Sequence, residues 1–459
     1  MIAKRRSSRM VRWGLPALVL LAACGAPPVR HSVVLISADS LRVDRLRLWN
    51  GADGVRTPAL ESLAARGTRY ANAWASSPWT APSMVSVMSG LYPPGHGVVY
   101  RDDTTPPGLP TLPRILAGEG YALGNFSFFS EISYFRNLGL GSAVEGLRHQ
   151  TVAASFRRWL ASRPPEEPFF AWLHLLEPHL PYGATGYRAS TVRIPGSSGL
   201  ERAQLAATVP VGTVRFAAGD RRPLLELYDR DVEAMDRTLG EILQALDDGG
   251  RRASTIVVFV ADHGEELLDH GWIGHASTAV EAKLVPEILH VPLILAGPGV
   301  PEGTVREELV RQVDVLPSVL HLLRLPAPSP ADGAPLPGIG RSWPWQRPRL
   351  AFFDSSPGGN LTPQERRGER LQGVTDGDCL LVRHLRPGAA AETRLAATGG
   401  GAACDDRRRR LERALEGWQA AQARQRLALL RASPQATPPA PEEIAAYAET
   451  LRILAPRDG

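Results

Sequence analysis

Two carboxylates, an imidazole and a hydroxyl stand where the apolar runs of this sequence stop abruptly. Asp39 ends the run His31–Ser37, and Asp262 with His263 ends the run Thr255–Val260. Thr80 stands just ahead of a predicted helix start, in Pro78-Trp79-Thr80-Ala81-Pro82-Ser83-Met84. Pro82 suits a first helical turn, where its missing N–H has no partner to lose. Val85, Met88 and the Gly90 stop complete a short buried helix. A hydroxyl at such a start meets free backbone N–H groups and the positive end of the helix dipole, which favour a tetrahedral oxyanion. The same pattern also serves as an ordinary helix cap.

Together, Asp39, Thr80, Asp262 and His263 make a donor set for one divalent cation. The imidazole tilts the choice towards Zn²⁺ or Mn²⁺, with Ca²⁺ and Mg²⁺ as alternatives, because nitrogen suits transition metals better. A coordinated hydroxyl loses its proton more readily, which turns a poor nucleophile into a competent one.

The four residues are far apart in sequence, so a sheet must gather them. Continuous β-branched apolar runs belong in a sheet covered on both faces. Open α/β sheets of parallel strands place ligands at the carboxyl ends of those strands. Further strands are predicted at Phe169–Leu175 and Val291–Leu295, with helices at Pro58–Arg66 and Leu224–Leu246 and another opened by Asp314. The expected fold class is α/β: a large central, mostly parallel sheet flanked by helices, with a small C-terminal α+β subdomain. Short strands at Leu350–Phe353, Arg370–Val374 and Cys379–Arg383, followed by a basic helix over Arg407–Leu430, would form that subdomain. The Arg407–Arg410 run reads as a solvated helix face, with contact to anionic lipid the lesser alternative.

The N-terminus reads as a processing segment. Lys4, Arg5, Arg6, Arg9 and Arg12 precede the short apolar stretch Leu15–Leu21, and Leu21-Ala22-Ala23 leads into Cys24. That order resembles the lipobox of bacterial lipoproteins, in which the cysteine is acylated and becomes the mature N-terminus. The expected location is therefore the cell envelope, with the chain lipid-anchored through Cys24 to the outer membrane and facing the periplasm. The chain has 52 Lys+Arg against 47 Asp+Glu, a formal net charge of +5. All five excess cations lie in residues 1–23, where there is no acid, so the rest of the chain is formally neutral and offers no nucleic-acid footprint. Cys379 and Cys404 lack CxxC spacing; in an exported protein they form either a local disulfide or two free thiols. The resulting organisation is a signal peptide over 1–23, a catalytic domain over 24–325 and a Pro/Gly-rich linker over 326–348. The small subdomain follows over 349–431, then a Pro-rich hinge and terminal helix over 432–459. Residues 186–222 read as an inserted surface segment, and nothing in the sequence specifies an oligomeric state.

Seven segments in order resemble the sulfatase family of the alkaline phosphatase superfamily. They are Val34–Asp44, Trp79–Ser83, Leu176–Tyr182, Tyr228–Glu233, Ala261–Glu266, Gly274-His275 and Val291–Leu295. The resemblance implies that Asp39, Asp262 and His263 hold the metal, with Thr80 as nucleophile and fourth ligand. It further implies that His179 touches the transferred group, and that His275 contacts the substrate or protonates the leaving oxygen. His174 and His290, in apolar surroundings, are expected to be structural, and His96 is open. Three departures matter. Formylglycine, the sulfatase nucleophile, is made from Cys or Ser and not Thr; Met84 stands where the family motif has Arg; and Ser40 stands where many members have a second acidic ligand. Threonine is the nucleophile in relatives that act on phosphoesters. The expected activity is hydrolysis or transfer of an anionic ester, with phosphoester chemistry preferred and sulfate-ester cleavage as the alternative. The alternative of another class is a lipoprotein that binds anionic glycans or lipids without turnover.

Overall fold

The structure, a computed structural model, describes residues 30–100, 102–127, 135, 137–142, 151–180, 182, 219, 221–271, 273–275, 283–339, 349–356, 368–398 and 404–432. The leader, Cys24, nearly all of the 186–222 segment and the terminal helix lie outside the described residues. Among the described residues, no helix is long and apolar enough to cross a membrane.

Ten strands belong to the catalytic part of the chain: β1 (Ser32–Ala38), β2 (Gly67–Trp74), β3 (Ala122–Phe126), β4 (Phe169–Leu175), β5 (Thr255–Ala261), β6 (Glu266–Leu267), β7 (Ile273–Gly274), β8 (His290–Ala296), β9 (Thr304–Arg306) and β10 (Val310–Arg311). The large sheet runs β10-β2-β8-β5-β1-β4-β3, with β9 also paired to β2. Every residue of β1, β4 and β5 is buried, the result expected for apolar strands covered on both faces. β1 is parallel to both β4 and β5. Only β8 runs against its neighbours β2 and β5, so β2 points the same way as β5 and β1.

Register does the gathering that the sequence could only suggest. Ala38 pairs with Ala261 on one side and Leu175 on the other, so Asp39 and Asp262 leave the sheet at the same level. Asp262 N–H still donates to Ala38 O, and Asp39 N–H to Leu175 O. β2 delivers the chain to the same edge, where residues 75–79 lead into the helix Thr80–Ser89. That helix ends at Gly90, whose φ of 70° is left-handed and costs glycine nothing. β2 and β3 are absent from the sequence reading because polar residues such as Arg69, Asn72 and Asn125 interrupt their apolar pattern.

A smaller antiparallel sheet follows: β11 (Ala351–Ser355), β12 (Arg370–Thr375), β13 (Cys379–Leu385) and β14 (Glu392–Ala397), in that order across the sheet. One face packs under the helix Arg408–Ala432 through Val374, Leu381, Leu411, Leu415 and Trp418. The Cys379–Cys404 disulfide ties β13 to the approach of this helix. Tyr92, from the catalytic part, enters that second core edge-on to Phe352 and Trp418. The stretch after residue 325 is pinned to the catalytic part, with Asp332 N–H and Gly333 N–H both donating to Gly90 O.

Candidate active site

Asp39, Asp262 and His263 offer ligand atoms that all lie within 4.8 Å of one another, and all three residues are buried. His263 Nε2 stands 3.7 Å from Asp39 Oδ1, 3.5 Å from Asp262 Oδ2 and 3.3 Å from Thr80 Oγ1. Thr80 is 7 % exposed while Asp262 and His263 are fully covered, so the hydroxyl forms the open side of the cluster. The four residues that chemistry picked from the sequence are one group in space.

The hydrogen bonds around the cluster decide which atoms face it. His263 Nδ1 donates to Gly264 O at 2.7 Å, leaving the Nε2 lone pair directed at the two carboxylates and Thr80. Gly264 has no room for a side chain, since a Cβ there would stand 2.1 Å from Glu287 O. Asp262 Oδ1 accepts from the N–H groups of Ser40 and His263, whereas Asp262 Oδ2 is buried without a hydrogen-bond partner of ordinary geometry. An orphaned buried carboxylate oxygen beside an imidazole lone pair and a hydroxyl fits a divalent cation. Electrostatics agree. Burial, and then the charge of Asp39, push the Asp262 carboxyl well above its usual pKa. For Asp39 burial raises the pKa, but His179, the His174 hydrogen bond and His263 outweigh it and hold the group below the ordinary range. Each buried carboxylate disfavours the ionised form of the other, a repulsion that a cation would relieve.

Ser40 supplies no charge. It sits at a φ of 61°, a strained value for a residue with a side chain. From there its hydroxyl donates to Asp39 Oδ1 at 3.0 Å while its N–H holds Asp262. The Tyr228 hydroxyl locks this turn, donating to Ser40 O and accepting from Arg42 N–H. Met84 is fully buried in the apolar core, so no cation reaches the cluster from that position.

His275 comes to the same place: its ring centroid is 4.3 Å from that of His263 and 4.9 Å from that of His179. Its Nδ1 bonds Glu265 Oε1 at 3.0 Å, a carboxylate–imidazole pair that fixes the ring. Burial and the neighbouring His179 lower the His275 pKa to about 3, and burial lifts that of Glu265 to about 7. His179, on the turn after β4, donates from Nδ1 to Leu180 O. All six expected site residues within the described chain therefore converge.

One expectation is corrected. His174 is not a bystander in the core, because its Nε2 contacts Asp39 Oδ2 at 3.2 Å. The Asp39 carboxylate accepts, so His174 Nε2–H donates to it, which leaves His174 Nδ1 to accept from Ser37 Oγ at 2.7 Å. Ser37 Oγ in turn accepts at 2.8 Å from Trp172 Nε1, which can only donate. The relay's sequence signal was a Ser and a His near the ends of two otherwise largely apolar runs, and Ser37 pairs with His174 across the sheet. His290 behaves as expected, bonded to Ala71 O and stacked on Trp74. His96 is structural as well, accepting from Val98 N–H and bonding Ser86 Oγ.

The comparisons with known proteins now fall into place. The sulfatase family profile matches residues 31–325. Among curated relatives, a low-salt glycan biosynthesis sulfotransferase of Haloferax volcanii is 28% identical over 63% of this chain and 60% of its own length. Human arylsulfatase K is 25% identical over 66% of this chain and 65% of its own. The chain thus spans less than two thirds of either relative. Among solved structures, a phosphonate monoester hydrolase from Silicibacter pomeroyi superposes with a TM-score of 0.66 at 19% identity, covering 86% of this chain and 96% of that one. A structure in complex with its substrate D-glucosamine-2-N,6-O-disulfate gives a TM-score of 0.67 at 17% identity, covering 86% and 98%. The fold is the α/β architecture of these enzymes. The chain belongs to the sulfatase family.

Proposed function

We propose that this protein cleaves or transfers an anionic ester with Thr80 as the nucleophile, and that phosphoesters are its preferred substrates. The observation that carries the reading is the Thr80 hydroxyl, 3.3 Å from His263 Nε2 on the open side of the Asp39–Asp262–His263 group. Asp39, Asp262, His263 and Thr80 would hold one divalent cation, Zn²⁺ or Mn²⁺ before Ca²⁺ or Mg²⁺. When bound, it supplies Lewis-acid stabilisation of the ester's charge and lowers the pKa of the hydroxyl. The protein's own groups do the rest. The N-terminal amides of the helix Thr80–Ser89 face the anion. His179 meets the oxygens of the transferred group. His275, held by Glu265 beside His179, stands where it would contact the substrate. Thr80 forms its new bond as the leaving-group bond breaks, and water or an acceptor alcohol then releases the group.

Phosphoryl chemistry is favoured because a threonine cannot give formylglycine and because Met84 and Ser40 bring no charge to the cluster. The likeness to a phosphonate monoester hydrolase runs the same way. The names of the curated relatives, a sulfotransferase and an arylsulfatase, support sulfate-ester cleavage as the second reading. Export with a lipid anchor at Cys24, in the outer membrane facing the periplasm, completes the proposal; the disulfide supports an oxidising compartment.

The test is a screen of p-nitrophenyl phosphate, bis(p-nitrophenyl) phosphate and p-nitrophenyl sulfate with metal add-back. Phosphoester turnover is expected, and Thr80→Ala should reduce it by more than about a thousandfold. Undiminished turnover in Thr80→Ala refutes the nucleophile, and turnover of the sulfate alone selects the second reading. No turnover, in protein that also binds no divalent ion, leaves a lipoprotein that only binds anionic glycans or lipids. In the same preparation, full-length protein recovered wholly in the soluble fraction sinks the anchor.

A further inference from the structure

Gln312 opens the single helical turn Gln312–Asp314 between β10 and the helix Val315–Leu322, and it is only 1 % exposed. Its Oε1 accepts from Ser76 N–H at 2.9 Å. Its Nε2 donates to Ala261 O at 2.8 Å and to Asp262 O at 2.7 Å. Reversing the amide would set donors against a donor and an acceptor against two acceptors, so this orientation is the one the surroundings allow. The end of this side chain therefore joins two segments that are distant in sequence. One is the loop that climbs from Ser76 to Thr80. The other is the turn that carries Asp262 and His263.

The chemistry of the residue fits that bridge closely. An amide offers an acceptor and two donors at one planar end; glutamate would lose the donors, lysine the acceptor, and an apolar residue all three. The same loop is braced elsewhere, by Ala75 N–H to Leu289 O, by Ser77 Oγ to Asp354 O and by Ser83 Oγ to Ser77 O. None of those contacts reaches the turn at Asp262. Gln312 alone among these braces links the nucleophile's loop to the ligands' turn.

We infer that Gln312 is a positioning residue that sets the separation between the Thr80 hydroxyl and the Asp39–Asp262–His263 group. The inference rests on the reading of Thr80 as nucleophile and metal ligand. Its consequence is a coupling between two residues that do not touch. A displacement of about 1 Å at a reacting atom can cost roughly a hundredfold in rate, and loss of a group supporting metal ligands typically costs 10–100-fold in affinity or activity.

The experiment is a double-mutant cycle in the full-length protein, read by Mn²⁺ titration calorimetry and by kcat and KM on bis(p-nitrophenyl) phosphate. Gln312→Met should weaken Mn²⁺ binding about tenfold and lower kcat by about tenfold or more, with KM changed less than about twofold. In the Thr80→Ala background the same substitution should change Mn²⁺ affinity by less than about twofold, because the bridge then has no ligand to place. Gln312→Glu, which keeps the length and the acceptor, carries the cycle where the Met variant does not fold. Equal Mn²⁺ losses in the two backgrounds, with turnover abolished by Thr80→Ala, overturn the Gln312 proposal and leave the nucleophile intact. Full turnover in Thr80→Ala overturns both.

Discussion

The two sheets of this protein are stabilised in opposite ways. In the large sheet, β1, β4 and β5 are buried along their whole length, and their polar groups gather near the strand ends, as Ser37 and His174 do. There Asp39, Asp262 and His263 collect in a water-poor pocket that leaves a carboxylate oxygen unpartnered. The small sheet packs one face under a single helix, sets Ala351, Phe353, Leu371 and Leu380 of the other against the main core, carries a disulfide, and leaves its last strand largely exposed. Its charged residues, such as Arg407 and Arg410, are paired with Asp376 at the surface. The large sheet stores unfavourable electrostatics that a cation can relieve. The small sheet also buries a carboxylate whose pKa burial raises, Asp354, but Arg370 and Gln372 answer it there, and the sheet braces the centre: Asp354 O holds Ser77, and Asp354 N–H donates to Ser76 O. Stability and chemistry are thus separable between the two.

The sharpest way to break that contrast is Asp262→Asn. Turnover should disappear, yet the metal-free protein should gain stability, because the raised Asp262 pKa marks a carboxylate whose ionised form the fold disfavours. Mn²⁺ at a hundredfold excess over its Kd should add about 2.7 kcal/mol to the native protein and nothing to the variant. Urea melts with and without chelator measure both. A metal-free variant less stable than the native protein would show that the two carboxylates do not repel.

Smaller in consequence is the loss of the staple in the small sheet. Replacing Cys379 and Cys404 together by Ala should cost about 3 kcal/mol, from the loop entropy of a 25-residue separation. Mn²⁺ affinity should stay within about twofold, and a fall much beyond that would mean the two sheets act as one.

The third contrast lies at their junction and is confined to acid. His96 is buried, and burial followed by the charge of Arg426 lowers its pKa to about 3. Arg426, from the helix over the small sheet, also donates to His96 O. A histidine depressed in the folded state keeps its full contribution above about pH 6.5. It loses that contribution as pH falls towards 3, by at most about 1.4 kcal/mol per pH unit. Stability measured from pH 7 to pH 4 should therefore fall less steeply in His96→Gln than in the native protein. An unchanged slope would place the acid-sensitive group elsewhere.

Much of this was legible before any coordinates. Apolar run length predicted β1, β4, β5 and β8, because a strand buried on both faces has no other way to satisfy the sheet. The abrupt polar residues at their ends named Asp39, Asp262 and His263, and a helix start named Thr80. Strands β2 and β3 escaped, since their polar positions are tolerated by local packing that no periodicity records. His174 escaped for the opposite reason: a histidine in an apolar run looks inert until its neighbour across the sheet is known.

What the sequence determined on its own was therefore the inventory: which residue types could bind a cation and attack an ester, and which runs must be strands. Their relation was decided only in three dimensions. The pairing of Ala38 with Ala261 set the two carboxylates side by side. The pairing of Ser37 with His174 linked the Trp172 indole to Asp39 through two side chains. Gln312, isolated and unremarked in the chain, spans the gap between the loop before Thr80 and the turn at Asp262. The physical reason is the same in each case. Register, hydrogen-bond direction and bridging are properties of pairs of distant segments, and a linear pattern carries information only about one segment at a time.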